Sequence, residues 1–355
     1  MIVVLGAGII GLSIAYELAK RGAQVRVVDA NDSASAASWS GAGRLAPFSD
    51  SQNDEELEMF LATALGTYQI FVSELHKRTG IDPRLRVDGI VEVAYDEAAV
   101  ARLRSRAETF VRRGIHAHWL DRDEAMRIEP FLSPSTLGAS LIEDEGQIDN
   151  RYLGQALRYA CTDAGARIEE RAGRVALAVD ADRVVGVTSG SDIIFAEAVV
   201  NAAGAWAGEI EGVPPHVQIS VKPQKGQIVV LAVPQRRVTR VVYVPGAYLI
   251  PRSDGTVVIG ESSTNDGFDD HTDPAATQRL LESAIRAFPS LADFEIAETW
   301  AGFRPQTPNG RPFIGTTALD GYYVAAGHQH GILLAPATAL AIANLIEGKT
   351  AHAQH

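Results

Sequence analysis

Apolar positions recur along the chain at two spacings, and each change of spacing marks the end of an element. Residues 2–5, IVVL, and 25–29, VRVVD, are apolar runs of strand length; between them GIIGLSIAYELAKRG has helical spacing and closes on Gly22. This predicts a β-α-β unit. Helical spacing returns over 54–79, DGIVEVAYD predicts a strand, and EAAVARLRSRAETFVRRG predicts a helix with a solvated arginine face. From residue 146, GQIDNRYLGQALRYACTDAGARIEE predicts a helix and then a strand. Alternating segments at 174–188, 193–200, 217–232, 240–250 and 256–261 follow, many punctuated by DG, SG or PG turns, and predict a largely antiparallel sheet. The last strand, GYYVAAG, runs into GHQHG and a final helix, PATALAIANLIEG, with Pro336 in its first turn. The first and last units read as pieces of one sheet closed over an inserted β-rich domain, an α/β (α+β mixed) fold.

At 355 residues two interleaved domains are expected. Hydrophobic residues at 46% and charged residues at 21% are ordinary globular usage. No apolar run approaches the roughly 20 residues that span a bilayer, so a soluble protein without membrane insertion is expected. The chain opens directly on MIVVLGAGIIG, without a basic leader, and this predicts a cytoplasmic location. A net charge of −12 argues against a nucleic-acid partner, whose phosphates demand a basic face. Cys161 is the only cysteine, which excludes an internal disulfide or a thiolate metal cluster; in its helix it is expected to be a structural residue.

The chemistry begins at GAGIIG, residues 6–11, which follows a strand and opens a helix, with Asp29 at the end of the next strand. Gly6 permits the tight turn, Gly8 lets backbone approach a pyrophosphate, and Gly11 lets helix and strand pack closely. The helix N-terminus offers free N–H groups, and Asp29 can accept from ribose hydroxyls. An ADP-containing dinucleotide is expected, and the motif alone does not separate NAD from FAD. Residues 33–47, SASAASWSGAGRLAP, are small, polar and glycine-rich where a nicotinamide enzyme normally continues its β-α repeats; such a loop can lie against a planar ring, which favours FAD.

Four blocks then carry a likeness: GAGIIGLSIAYELAKRG with Asp29, SWSGAGRLAP at 38–47, VVNAAGAWAG at 199–208, and GFRPQTPNGRPFIG with AAGHQHGILLAPATA. Through them the chain resembles, over nearly its whole length, the D-amino-acid oxidase family of flavoproteins, most closely its glycine oxidase branch, the kind associated with thiamine biosynthesis. The resemblance implies a Rossmann-like FAD domain of the glutathione-reductase type (1–85, 143–215 and 299–355) and an inserted substrate domain (86–142 and 216–298). It implies non-covalent FAD, with Gly6, Gly8, Ile9, Ile10 and Gly11 at the pyrophosphate, Asp29 and Ala30 at the ribose, and Val175 at the adenine. Ala37, Ser38, Ala42, Gly43, Arg44 and Leu45 would line the flavin's edge, with Gly204 and Trp206 on a second turn near the cofactor and His328, Gln329, His330, Gly331, Ile332 and Leu333 at the turn into the last helix. Arg44 departs from relatives, which often carry an apolar residue there.

By the same resemblance, Arg304 holds the substrate carboxylate and Tyr248 reaches the substrate; a fixed guanidinium suits this because its planar fork makes two charge-assisted hydrogen bonds. Arg311 is expected at the surface. Ser263 stands where relatives place an apolar pocket residue. Neither His328 nor His330 has a carboxylate or thiol at suitable spacing, so no metal is expected. Relatives often read GHxRNG where this chain has GHQHG, so His330 is expected to take over part of the contact of a missing arginine. The implied reaction is oxidation of a small amino acid (glycine, sarcosine or a small D-amino acid) by hydride transfer to flavin N5. It needs no side-chain base, gives an imine and then an oxo acid with ammonia or an amine, and passes electrons to O2 or another acceptor. A homo-oligomer fits the family. A dehydrogenase passing electrons to a quinone or partner protein, an opine or imino-acid oxidase, a nicotinamide-dependent enzyme and an inactive flavoprotein subunit stay open beside this reading.

Overall fold

The protein is described here by a computed structural model covering residues 1–50, 54–190, 192–260 and 262–348. The first apolar run is strand β1 (Ile2–Leu5), followed by helix α1 (Ile9–Lys20) and strand β2 (Val25–Val28). All four residues of β1 are buried, as expected of a parallel strand covered on both faces. It lies inside a six-stranded sheet ordered 313–316, 322–326, 198–201, β1, β2, 167–169, parallel throughout except for the 313–316/322–326 pair. Alternation sends Ile2 and Val4 into a core with α1, the helix α3 (Glu55–Thr79), the helix Asn150–Asp163 and the last helix. Val3 and Leu5 face the other way, into a core with a three-stranded antiparallel sheet, Val175–Asp180, Arg183–Ser189 and Asp192–Phe195. Cys161 is buried in the first of these cores, its thiol donates to the Leu12 carbonyl at 3.1 Å, and burial pushes its pKa up to about 12, which is a structural setting.

The second sheet has eight strands ordered 296–306, 222–232, 256–260, 247–251, 241–244, 90–94, 138–142, 117–121. Every pairing in it is antiparallel except that of 241–244 with 90–94. One face packs with the helix Pro274–Ala287 around Val229, Leu231, Leu249 and Ile259. The other carries Ile228, Tyr248 and Ile250 toward Ala42 and Ala46 of the first half. Short turns divide what looked continuous in sequence. The segment 174–188 is a two-strand hairpin, 240–250 is two strands, and 193–200 splits between two sheets.

Two expectations are corrected. The domain boundary at 299 falls inside the strand Ile296–Gln306, which pairs with Lys222–Ala232 along its length, so the chain stays with the eight-stranded sheet through Gln306. The last helix runs Gly331–Ile346 and begins five residues before Pro336, which sits inside it. Proline supplies no N–H to the carbonyl four residues back, here that of Ile332, and the buried Tyr68 hydroxyl of α3 donates to that carbonyl instead. Among the described residues no helix is long and apolar enough to cross a membrane.

Candidate active site

Strand β1 leads into Gly6, whose φ of +103° lies in a region that L side chains rarely adopt. A Cβ on Gly6 would run into the Ala202 carbonyl, and one on Gly11 would overlap the Gly6 carbonyl oxygen. The glycine loop is thus held by backbone against backbone. Gly8 caps α1 without a side chain, and Ser38 fills that role from a distant loop, its Oγ accepting from the Ile9 N–H at 2.9 Å. The other first-turn N–H groups have no intrahelical acceptor, and with the helix dipole they favour an anion. Asp29 accepts from Ala7 N–H (Oδ2, 2.6 Å) and Asn31 N–H (Oδ1, 2.8 Å); burial raises its pKa even though both donors pull it down. This carboxylate braces the glycine loop, a role its spacing in the sequence did not reveal. Ala30 is exposed and Val175 opens a partly buried strand; with Asp29 they lie beyond the cavity that gathers most of the other site residues.

The glycine-rich loop forms helix α2 (Ala37–Ser40) and strand β3 (Arg44–Leu45), and three side chains from elsewhere fix it. Asn150 donates from Nδ2 to the carbonyls of Ser38 (2.8 Å) and Trp39 (3.0 Å). Arg252 donates to the carbonyls of Ile148 (2.7 Å) and Ala42 (2.8 Å) and to Asn150 Oδ1 (3.0 Å), while Trp300 Nε1 donates to the Ser40 carbonyl at 3.0 Å. Burial holds the Arg252 pKa below its ordinary value. Neither Asn150 nor Arg252 belongs to any motif, and their partners lie far away in sequence.

A cavity lies between the two sheets. On one side it is lined by Gly8, Ile9, Ile10, Ala37, Ser38, Ala42, Gly43, Arg44 and Gly204; on the other by Gln227, Ile228, Tyr248, Phe303 and Arg304; and at the start of the last helix by His328, Gln329, His330, Gly331 and Ile332. Gly6 and Gly11 shape it from behind. Leu45 and Leu333 do not border it, being buried in the core of the six-stranded half. Trp206 stands one layer back, stacked on Phe268 at 4.9 Å and edge-on at 6.2 Å to Phe303, which does line the cavity. Ser263 is exposed and borders a separate depression; its neighbour Ser262 lines the cavity, its Oγ accepting from Gln227 N–H at 2.5 Å. Arg311 pairs with Asp54 (2.9 Å) and Glu56 (2.6 Å) at the start of α3.

The charges around this cavity are unequal in their pairing. Arg304 donates from Nη1 to the neutral amide oxygen of Gln224 at 2.8 Å, and no described carboxylate forms an ion pair with it. Arg44 is neutralised by Asp50 at 3.0 Å, also donates to Tyr243 Oη at 2.6 Å, and lies over the Tyr248 ring with 4.2 Å to the centroid. Asp50 and Tyr243 were not singled out in the sequence, although Asp50 lines the cavity. The two histidines part company: His328 Nε2 lies 3.1 Å from Thr338 Oγ1, and burial pulls its pKa down to about 3. His330 caps the last helix, its Nδ1 3.8 Å from Asp50 Oδ2, and its pKa is also lowered by burial against the opposing pull of Asp50. Both imidazoles are therefore neutral at neutral pH. A glycine cradle at a helix N-terminus, continuous with a wall of the small residues Ala37, Ser38, Ser40, Gly41, Ala42 and Gly43, fits a pyrophosphate-bearing cofactor with a flat ring.

Comparison with known proteins agrees with this geometry. Residues 1–345 match the family described as FAD dependent oxidoreductase. The chain is 35% identical over 353 residues to the glycine oxidase of Geobacillus kaustophilus, an alignment covering 98% of this chain and 93% of that protein. It is 34% identical over 353 residues to the bifunctional protein ThiO/ThiG of a Nostoc species, covering 97% of this chain and 52% of that one, so it spans about half the length of such bifunctional relatives. The crystal structure of glycine oxidase from Geobacillus kaustophilus superposes with a TM-score of 0.93 at 32% identity, over 99% of this chain and 95% of that one. Matched along almost its full length, the chain belongs to the FAD-dependent oxidoreductase family, and FAD is its cofactor.

Proposed function

We propose that the protein is an amino-acid oxidase of the glycine oxidase type, acting on glycine, sarcosine or a small D-amino acid and returning electrons to O2 as hydrogen peroxide. The observation that carries this reading is Arg304, a guanidinium at the cavity whose hydrogen bond goes to a neutral amide while the neighbouring Arg44 is matched by Asp50. One uncompensated cation facing a cavity is a place for one carboxylate. The name glycine oxidase carried by relatives at this identity supports the same substrate class.

The residues divide the work. The glycine cradle, Ser38 and the first turn of α1 would hold the pyrophosphate, and the clamped wall at 37–43 would meet the ring. Bound FAD supplies the two-electron acceptor for a hydride from the substrate's α-carbon. Arg304 fixes the carboxylate and so fixes which bond faces that acceptor. Gln224 orients the guanidinium. Ile228, Phe303 and Ile332 bring apolar surface to the cavity, and Tyr248, its ring packed against Arg44, lines it as well. His330 borders the same cavity, where its imidazole can take part of the carboxylate contact beside Arg304.

An anaerobic titration of the purified flavoprotein with glycine, sarcosine and D-alanine is expected to bleach the flavin absorbance, and readmitted oxygen is expected to yield one peroxide per turnover. Arg304→Ala is expected to keep the flavin and to lose about a hundredfold or more in kcat/KM for glycine, the scale set by truncating one partner of a desolvated charge pair. Unchanged glycine turnover in this variant, or bleaching without peroxide, would overturn the corresponding half of the reading.

A further inference from the structure

We propose that Asp50 reads the amine end of the substrate, so that the cavity recognises an amino acid at two points, carboxylate on Arg304 and amine on Asp50. This rests on the Arg304 reading above. Asp50 is the one acidic side chain among the described residues lining the cavity, which Arg304 also lines. Its two oxygens are not equivalent. Oδ1 accepts from Arg44 Nη1 at 3.0 Å and from Tyr243 Oη at 2.8 Å. Among the described residues Oδ2 meets only His330 Nδ1, at 3.8 Å, beyond hydrogen-bond range, so its lone pairs face no other described donor.

The carboxylate is also held in place. Arg44 is packed against the Tyr248 ring, and the two residues before Asp50, Phe48 and Ser49, each donate a backbone N–H to Glu145 at 2.7 Å. Such a group keeps its geometry while Oδ2 binds and releases a ligand. Arg44 and Asp50 cancel in charge, yet among the described residues the hydrogen bonds to the Asp50 carboxylate all fall on one oxygen. An amine N–H is the donor that a carboxylate-bearing small molecule brings to this cavity, and a charge-assisted bond to Oδ2 would orient the nitrogen relative to the α-carbon. An acid lacking the amine finds only half of the site. Specificity of this kind comes from leaving a polar group unpaired when the wrong ligand binds.

The test compares glycine with acetate, which keeps the carboxylate and lacks the amine. Chemically reduced, oxygen-free holoenzyme binds glycine without oxidising it, so calorimetry gives dissociation constants for both ligands independently of turnover. Asp50→Asn keeps the shape and the acceptor for Arg44 and Tyr243. It is expected to weaken glycine about tenfold to a hundredfold while leaving acetate within about twofold. Retained acetate binding and flavin absorbance show that the variant is folded. An equal loss for both ligands would make Asp50 a brace of the wall and overturn the proposal, as would unchanged glycine binding. Failure of the Arg304 reading looks different: acetate then binds the Arg304→Ala variant as well as it binds the wild type.

Discussion

Asn150 and Arg252 hold a loop to which neither belongs. Together they serve the carbonyls of Ser38, Trp39, Ala42 and Ile148, all short of intraloop donors, and they do so from a helix start and a strand end in different halves of the molecule. A buried carbonyl stripped of its donor costs about 1–3 kcal/mol. Arg252→Met, which keeps bulk and removes the donors, is expected to lower stability by about that amount and to raise the dissociation constant for FAD. Chemical denaturation and flavin titration check the two effects, and an unchanged FAD affinity would confine Arg252 to stability. Motif residues behaved differently. Gly6, Gly8 and Gly11 were legible because a short local pattern fixes their backbone, whereas Ser38 was named only through the family resemblance and reaches the Ile9 N–H from a distant loop. Asp29 was found by its spacing, yet its carboxylate turns back to Ala7 and Asn31. Ser263 borders the separate depression, while its neighbour Ser262 borders both that depression and the cavity.

The last helix shows how an element can break a local rule when a neighbour makes up for it. Pro336 sits at the sixth position, where its missing N–H leaves the Ile332 carbonyl without its helical donor, and Tyr68 of α3 donates there. The sequence suggested that a helix begins at the proline, since the first turn is where proline is best tolerated. Only the packing of α3 against the last helix allows the helix to begin at Gly331 and so brings its N-terminus to the cavity. Tyr68→Phe is expected to cost about 1–3 kcal/mol in the native chain. In a Pro336→Ala background, where the new backbone N–H restores the helical bond to Ile332, the same substitution is expected to cost clearly less. Denaturation midpoints of the four proteins form the cycle, and equal costs in both backgrounds would show that Tyr68 acts through bulk alone.

At the scale of the whole molecule, Glu145 lies on the turn that leaves the eight-stranded sheet and enters the strand paired with β3. Its side chain accepts from Phe48 N–H, Ser49 N–H and the Ser49 hydroxyl, and burial pushes its pKa from 4.5 up to about 8. The folded chain therefore keeps this proton between about pH 4.5 and 8 while the unfolded chain gives it up. With more protons bound in the folded state, this group's contribution to stability falls as pH rises through that window, by at most about 1.4 kcal/mol per pH unit. Glu145→Gln is expected to remove that decline. Subtracting the variant's stability curve from the wild type's, across that same window, isolates it, and a flat difference or one of opposite sign would contradict the assignment.

Periodicity and glycine spacing by themselves determined the β-α-β start, the nucleotide loop and the β-rich middle, because local backbone geometry and the burial of one face leave few alternatives. Arg304 could be named because its block is short and contiguous. What only the tertiary structure decided are the encounters between distant segments: Asp50 with Arg44 and Tyr243, Arg252 with Ala42, Tyr68 with Ile332, and the strand Ile296–Gln306 with the second sheet. Those encounters depend on which faces two sheets turn toward each other, and no spacing along one segment encodes where another will lie.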